Sequence, residues 1–149
     1  MMLLLARQAR IGRTTTVRAA AAARALSHAD FETKRHAVPN DDQGVRDLIG
    51  EQVSKNKVML YMKGTPAAPM CGFSQQVVRI LHATGVEFSS VNVLEDDSIR
   101  EGIKQYSQWP TIPQLYVDGE FVGGCDIVTQ AFQSGELDKT LKEAGVLKE

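Results

Sequence analysis

Cys71 and Cys125 are the chain's two thiols, and the residue three positions after the first decides what Cys71 can do. A dithiol oxidoreductase needs a second thiol there, to resolve the mixed disulfide formed by the first. Ser74 stands at that position, and a hydroxyl does no thiol–disulfide exchange. A two-cysteine cycle within Cys71-Gly72-Phe73-Ser74 is therefore excluded. Single-thiol chemistry resolved by an external thiol, or metal ligation, remains open to Cys71. The two cysteines lie 54 positions apart and match no zinc-finger spacing. His28, His36 and His82 each stand without ligand-like neighbours and read as solvated surface histidines.

The elements around Cys71 are those that activate a thiol. Val58-Met59-Leu60-Tyr61-Met62 is a short continuous apolar run, as expected of a strand covered on both faces. The stretch from Lys63 to Met70, with Gly64, Pro66 and Pro69, breaks regular structure. A helix is expected to start after Cys71, to carry Val77, Val78, Ile80 and Leu81, and to stop near Gly85. Cys71 thus falls at a helix N-terminus, where unpaired amides and the positive dipole end favour thiolate over thiol. Lys63, at the end of the preceding strand, adds a cation nearby.

The remaining pattern predicts a helix capped by Asp41 or Asp42 and carrying Val45, Leu48, Ile49 and Val53 on one face. After the cysteine helix comes a strand from Phe88 to Val93, then a helix capped by Asp97 with Ile99, Ile103 and Tyr106 at helical spacing. Trp109-Pro110 ends it. Pro113 to Val117, Asp118-Gly119 and Glu120 to Val122 read as a hairpin, since Asp-Gly is a strong two-residue turn signal. Gly123-Gly124 leads into a helix capped by Asp126, and a last helix carries Leu137, Leu141 and Ala144. A parallel strand–helix–strand unit joined to a hairpin makes an α/β fold: a mixed four-stranded sheet flanked by helices.

Charge divides the chain of 149 residues unevenly. Residues 1–26 hold five arginines and no Asp or Glu. Of the 17 Lys and Arg, that leaves 12 against all 18 acids, a net charge of −6 beyond residue 26. An Arg-rich, acid-free leader has the composition of an organelle transit peptide, and Arg24-Ala25-Leu26-Ser27 resembles a mitochondrial processing site. Cleavage is expected between Leu26 and Ser27, with residues 27–40 a polar linker and 41–149 one domain. The mitochondrial matrix is the expected destination and the plastid stroma the alternative. In such a reducing compartment two cysteines are free, catalytic or metal-bound rather than a structural disulfide. The whole-chain net charge of −1 argues against a broad nucleic-acid or membrane footprint. No apolar run approaches the roughly 18 residues of a membrane helix.

Three separated motifs carry a resemblance. Lys63-Gly64-Thr65-Pro66 with Pro69-Met70-Cys71-Gly72-Phe73-Ser74, then Trp109-Pro110-Thr111-Ile112-Pro113-Gln114, then Gly123-Gly124-Cys125-Asp126 resemble the CGFS monothiol glutaredoxins, over roughly residues 43–147. With its leader and single domain, the chain looks most like the mitochondrial member of that family. The resemblance implies a thioredoxin-like fold, a glutathione groove, and a [2Fe–2S] cluster bridging two protomers and passed from an assembly scaffold to acceptor proteins. It also brings BolA-like proteins among the implied partners.

Residue by residue, the resemblance assigns Lys63, Arg100 and Lys104 as glutathione contacts, the last two four apart on one helix face. Ile112-Pro113 resembles the family's cis-proline segment, preceded by Thr111, where a peptide ligand pairs in strand fashion. Gly123 and Gly124 leave close backbone approach open, and the amides of Cys125 and Asp126, at a helix start, would receive the γ-glutamyl carboxylate. A [2Fe–2S] centre takes four thiolates. Two Cys71 with two glutathiones make four, as do two Cys71 with two Cys125; the resemblance favours the first. A Cys71–Cys125 disulfide is left open. The competing functional reading is a glutathione-dependent monothiol oxidoreductase, deglutathionylating proteins through Cys71. A thioredoxin-like interaction module with an inert thiol is the third.

Overall fold

A computed structural model describes residues 41–147. The expected transit peptide (1–26) and linker (27–40) lie outside the described residues, as do His28 and His36. In chain order the elements are α1 (Asp42–Lys55), β1 (Val58–Met62), α2 (Gly72–Thr84), β2 (Ser89–Asn92), α3 (Asp97–Ser107), β3 (Gln114–Val117), β4 (Glu120–Gly123), α4 (Cys125–Ser134) and α5 (Glu136–Glu143). The sheet order is β2-β1-β3-β4. β1 runs parallel to β2 and antiparallel to β3, and β4 closes the hairpin on β3. This is a thioredoxin-like mixed sheet flanked by helices.

The central strand explains the apolar run. All five residues of β1 are buried, but alternation sends them to opposite sides. Val58, Leu60 and Met62 join a core with Val77, Leu81 and Leu141. Met59 and Tyr61 join a second core with Ile49 and Ile103. One strand therefore glues both helical layers to the sheet, and its C-terminal end delivers Lys63.

Helix starts differ from the sequence reading in two places, and the last helix stops at Glu143, leaving Ala144 as its C-cap. The third helix is capped by Asp96, not Asp97: the Asp96 carboxylate accepts the Ser98 and Ile99 amides, while Asp97 is already helical. Asp126 is not the cap of α4 either. Val128 N–H bonds to the Gly124 carbonyl, so the first turn closes on Gly124 and leaves Asp126 as its second residue. For α1 the cap is Asp41, which accepts the Gly44 amide at 3.0 Å. The strands β2 and β3 are shorter than expected, omitting Phe88, Val93 and Pro113, and β4 runs on to Gly123. Asp118 and Gly119 both have positive φ, 51° and 83°, as the tight hairpin requires.

Candidate functional site

Lys63 to Met70 folds into a small closed loop ahead of α2. Thr65 and Ala68 exchange backbone hydrogen bonds, at 3.2 and 3.0 Å, and the Met70 amide donates to the Lys63 carbonyl at 2.9 Å. Gly64 sits at φ 89° inside this loop, and a Cβ there would meet the Ala68 carbonyl oxygen at 2.5 Å. The loop leaves Met70 and Phe73 exposed on either side of Cys71, at 68% and 64%.

Cys71 is itself the N-cap of α2. Its Sγ accepts the Ser74 amide at 3.3 Å, and the Ser74 hydroxyl oxygen lies 3.5 Å from the sulfur. Ser74 is fully buried, and its Oγ also accepts the Lys63 backbone N–H at 3.1 Å. Partial burial pushes the Cys71 thiol up. The Ser74 hydroxyl, the Ser74 and Phe73 amides and the Lys63 ammonium together outweigh that, and the thiol titrates below its ordinary value. Cys125 goes the other way: burial raises it, the Thr129 hydroxyl lowers it, and the nearby charges of Asp126 and Cys71 raise it again. Both cysteines are free. One thiol is primed and its neighbour is not.

Beside Cys71 runs a groove of about 360 Å³. Lys63, Arg100, Lys104, Thr111, Ile112, Pro113, Gly124, Cys125 and Asp126 all line it, so residues from four separate places in the chain meet on one concave surface. Cys71 is not part of that lining; it stands at the edge, on the helix whose Phe73 is. The Ile112–Pro113 bond is cis. The buried Gln114 side chain holds this segment by donating to the Trp109 and Thr111 carbonyls at 3.0 and 3.2 Å. Lys104 pairs with Glu101, one turn earlier on α3, at 3.0 Å.

Along the same groove α4 starts with no side-chain cap, so its first-turn amides have neither helical nor side-chain partners. Gly124 leaves that end accessible but not empty: a Cβ there would come within 3.0 Å of Trp109 Nε1. Trp109, Pro110, Phe73 and Ile127 are wall residues too, a role their place in the sequence does not show. Ser74 reads from sequence only as a missing thiol. An apolar side chain lining a groove has no pattern of its own in sequence, whereas charged residues and glycines do. Two buried donors without a partner among the described residues, Arg100 Nε and Trp109 Nε1, belong to this wall. Among the described residues no three His, Cys, Asp or Glu side chains cluster as a metal site within one chain.

Residues 58–122 match the family model described as Glutaredoxin. A Rickettsia typhi protein named "Probable monothiol glutaredoxin 2" is 59% identical over 64% of this chain and 86% of its own length. "Glutaredoxin-related protein 5, mitochondrial" of Danio rerio is 57% identical over 66% of this chain and 64% of its own. Rice supplies "Monothiol glutaredoxin-S7, chloroplastic", 51% identical over 67% of this chain and 60% of its own. Among solved structures, reduced apo GrxS14 of poplar superposes with a TM-score of 0.61 at 51% identity, covering 67% of this chain and 92% of that one.

Proposed function

Because this chain belongs to the glutaredoxin family, in its monothiol branch, we propose that it is a carrier of [2Fe–2S] clusters. In this reading glutathione lies in the groove beside Cys71, and the cluster is cargo held between two protomers. Each protomer contributes the Cys71 thiolate and one bound glutathione thiolate, which makes the four ligands such a cluster takes. The carrier receives its cargo from an assembly scaffold and hands it to acceptor proteins, with BolA-like proteins as further partners.

The observation that carries the reading is the charge pattern of the groove. Glutathione brings two carboxylates and one ammonium at neutral pH. The groove offers Lys63, Arg100 and Lys104, the uncapped start of α4 for a carboxylate, and Asp126 for the ammonium. The lowered thiol of Cys71 stands next to it as a soft metal ligand. The deciding experiment is anaerobic reconstitution with glutathione, followed by iron, sulfide, glutathione and mass measured on one sample. A dimer with one glutathione per chain and two irons per dimer is expected. A monomer that binds no iron overturns the reading.

The same lowered thiol supports a second reading, glutathione-dependent deglutathionylation by Cys71 alone. Fast turnover on a glutathionylated protein, without cluster formation, would favour it over the carrier. The Arg-rich residues 1–26 are proposed as the address to the mitochondrial matrix, with the plastid stroma as the alternative.

A further inference from the structure

We infer that Asn92, at the end of β2 and outside the groove, is a positioning residue that fixes Lys63 for its ligand. The inference rests on the glutathione reading above and adds a residue to it.

Lys63 leaves β1 where the sheet ends, and its side chain reaches the groove only if its backbone is held. Three hydrogen bonds hold it, each from a different element. The Lys63 amide donates to Ser74 Oγ of α2 at 3.1 Å, and the Lys63 carbonyl accepts the Met70 amide at 2.9 Å. The third comes from the adjacent strand: the next amide, of Gly64, donates to Asn92 Oδ1 at 2.9 Å. Gly64 is buried, so without Asn92 its N–H would lose its acceptor where water does not readily replace it.

Asn92 is itself firmly placed. It pairs with Met62 in the parallel register, and its Oδ1 takes the Leu94 amide as well, at 3.1 Å. Its Nδ2 approaches Glu95 at 3.5 Å. One carbonyl oxygen thus closes two turns at once, the one leaving β1 and the one leaving β2. Asn92 contributes nothing to the groove wall. Its effect on a ligand must therefore travel through the Lys63–Gly64 peptide.

The test is calorimetric titration of the full chain with reduced glutathione at low salt, for wild type, Asn92→Ala, Glu95→Gln, Asn92→Asp/Glu95→Gln, Lys63→Met and the Lys63→Met/Asn92→Ala double variant. Asn92→Ala is expected to bind about two- to tenfold more weakly, while Asn92→Asp/Glu95→Gln, which keeps the acceptor oxygen without setting two carboxylates together, stays close to Glu95→Gln alone. The double variant should bind no more weakly than Lys63→Met alone, because the positioning has nothing left to position. Circular dichroism checks the fold, and Asn92→Ser, whose oxygen is one bond short, replaces the alanine variant if that one misfolds. Wild-type affinity in Asn92→Ala, binding in Asn92→Asp/Glu95→Gln much weaker than in Glu95→Gln, or fully additive losses would each overturn the inference. Wild-type affinity in Lys63→Met would instead overturn the placement of Lys63, and the inference with it.

Discussion

Ser74 Oγ lies 3.5 Å from Cys71 Sγ while it accepts the Lys63 amide at 3.1 Å. With one lone pair engaged by that amide, the hydroxyl proton is free to turn to the sulfur once Cys71 ionises. The serine standing where a second thiol would resolve a disulfide therefore stabilises the first thiol as an anion.

A pH profile of thiol reactivity in the apo protein follows from this pair. Cys71 titrates below its ordinary value and Cys125 above it. As pH rises, alkylation should reach Cys71 first and Cys125 later, read by mass spectrometry of the two peptides. Ser74→Ala should move the Cys71 midpoint upward, since it removes the hydroxyl that favours the thiolate. It should also cost about 1–3 kcal/mol of stability, by stranding the Lys63 amide. Equal alkylation of both cysteines at every pH would refute the assignment.

Most of the frame is legible in the sequence. The run Val58 to Met62 announced a strand buried on both faces, and that strand joins the two cores. Asp118-Gly119 announced the hairpin, because few other dipeptides accept two positive φ values. Caps were harder to read, since Asp96-Asp97 offers two equivalent side chains and only the local backbone selects one. At the site, charged residues and glycines could be found from motif and spacing. Trp109 could not, because its role comes from facing Gly124 across a gap that no sequence pattern records. Asn92 and Ser74 act through hydrogen bonds to backbone amides 28 and 11 positions away, which depend on the finished sheet.

Gly64→Ala should be among the most damaging single-methyl additions to this domain. The residue sits at φ 89°, and the added carbon would lie 2.5 Å from the Ala68 carbonyl oxygen and 2.7 Å from the Met70 nitrogen. Both are backbone atoms of the closed loop, so neither can swing aside. A loss of roughly 1–3 kcal/mol or more is expected from the forced φ and the clash. Chemical denaturation would measure it. An unchanged midpoint would mean that the loop opens freely.

The leader gives a prediction independent of the site. Residues 1–26 hold five arginines and no acid, so the protein recovered from the organelle should start near Ser27. N-terminal sequencing checks this, and an organelle-resident form that still carries Arg7 and Arg10 would refute it.

The two cysteines separate the ways of completing a cluster. Cys71 is the primed thiol at the edge of the groove, and Cys125 is a wall residue with a raised pKa whose amide, at the start of α4, is proposed to bind glutathione. Cys71→Ser should abolish cluster binding, because it removes two of four thiolates from a dimeric site. Cys125→Ser should keep the cluster largely intact, since its backbone amide is unchanged, and should remove any disulfide between the pair. Stoichiometry provides the second arm. The glutathione-ligated dimer requires one glutathione per chain, and a dimer ligated by four protein thiolates requires none. Absorbance after anaerobic reconstitution, with glutathione counted on the desalted product, reads both arms together. A Cys125→Ser protein that assembles no cluster, alongside a glutathione-free wild-type dimer, would transfer the second pair of ligands from glutathione to Cys125.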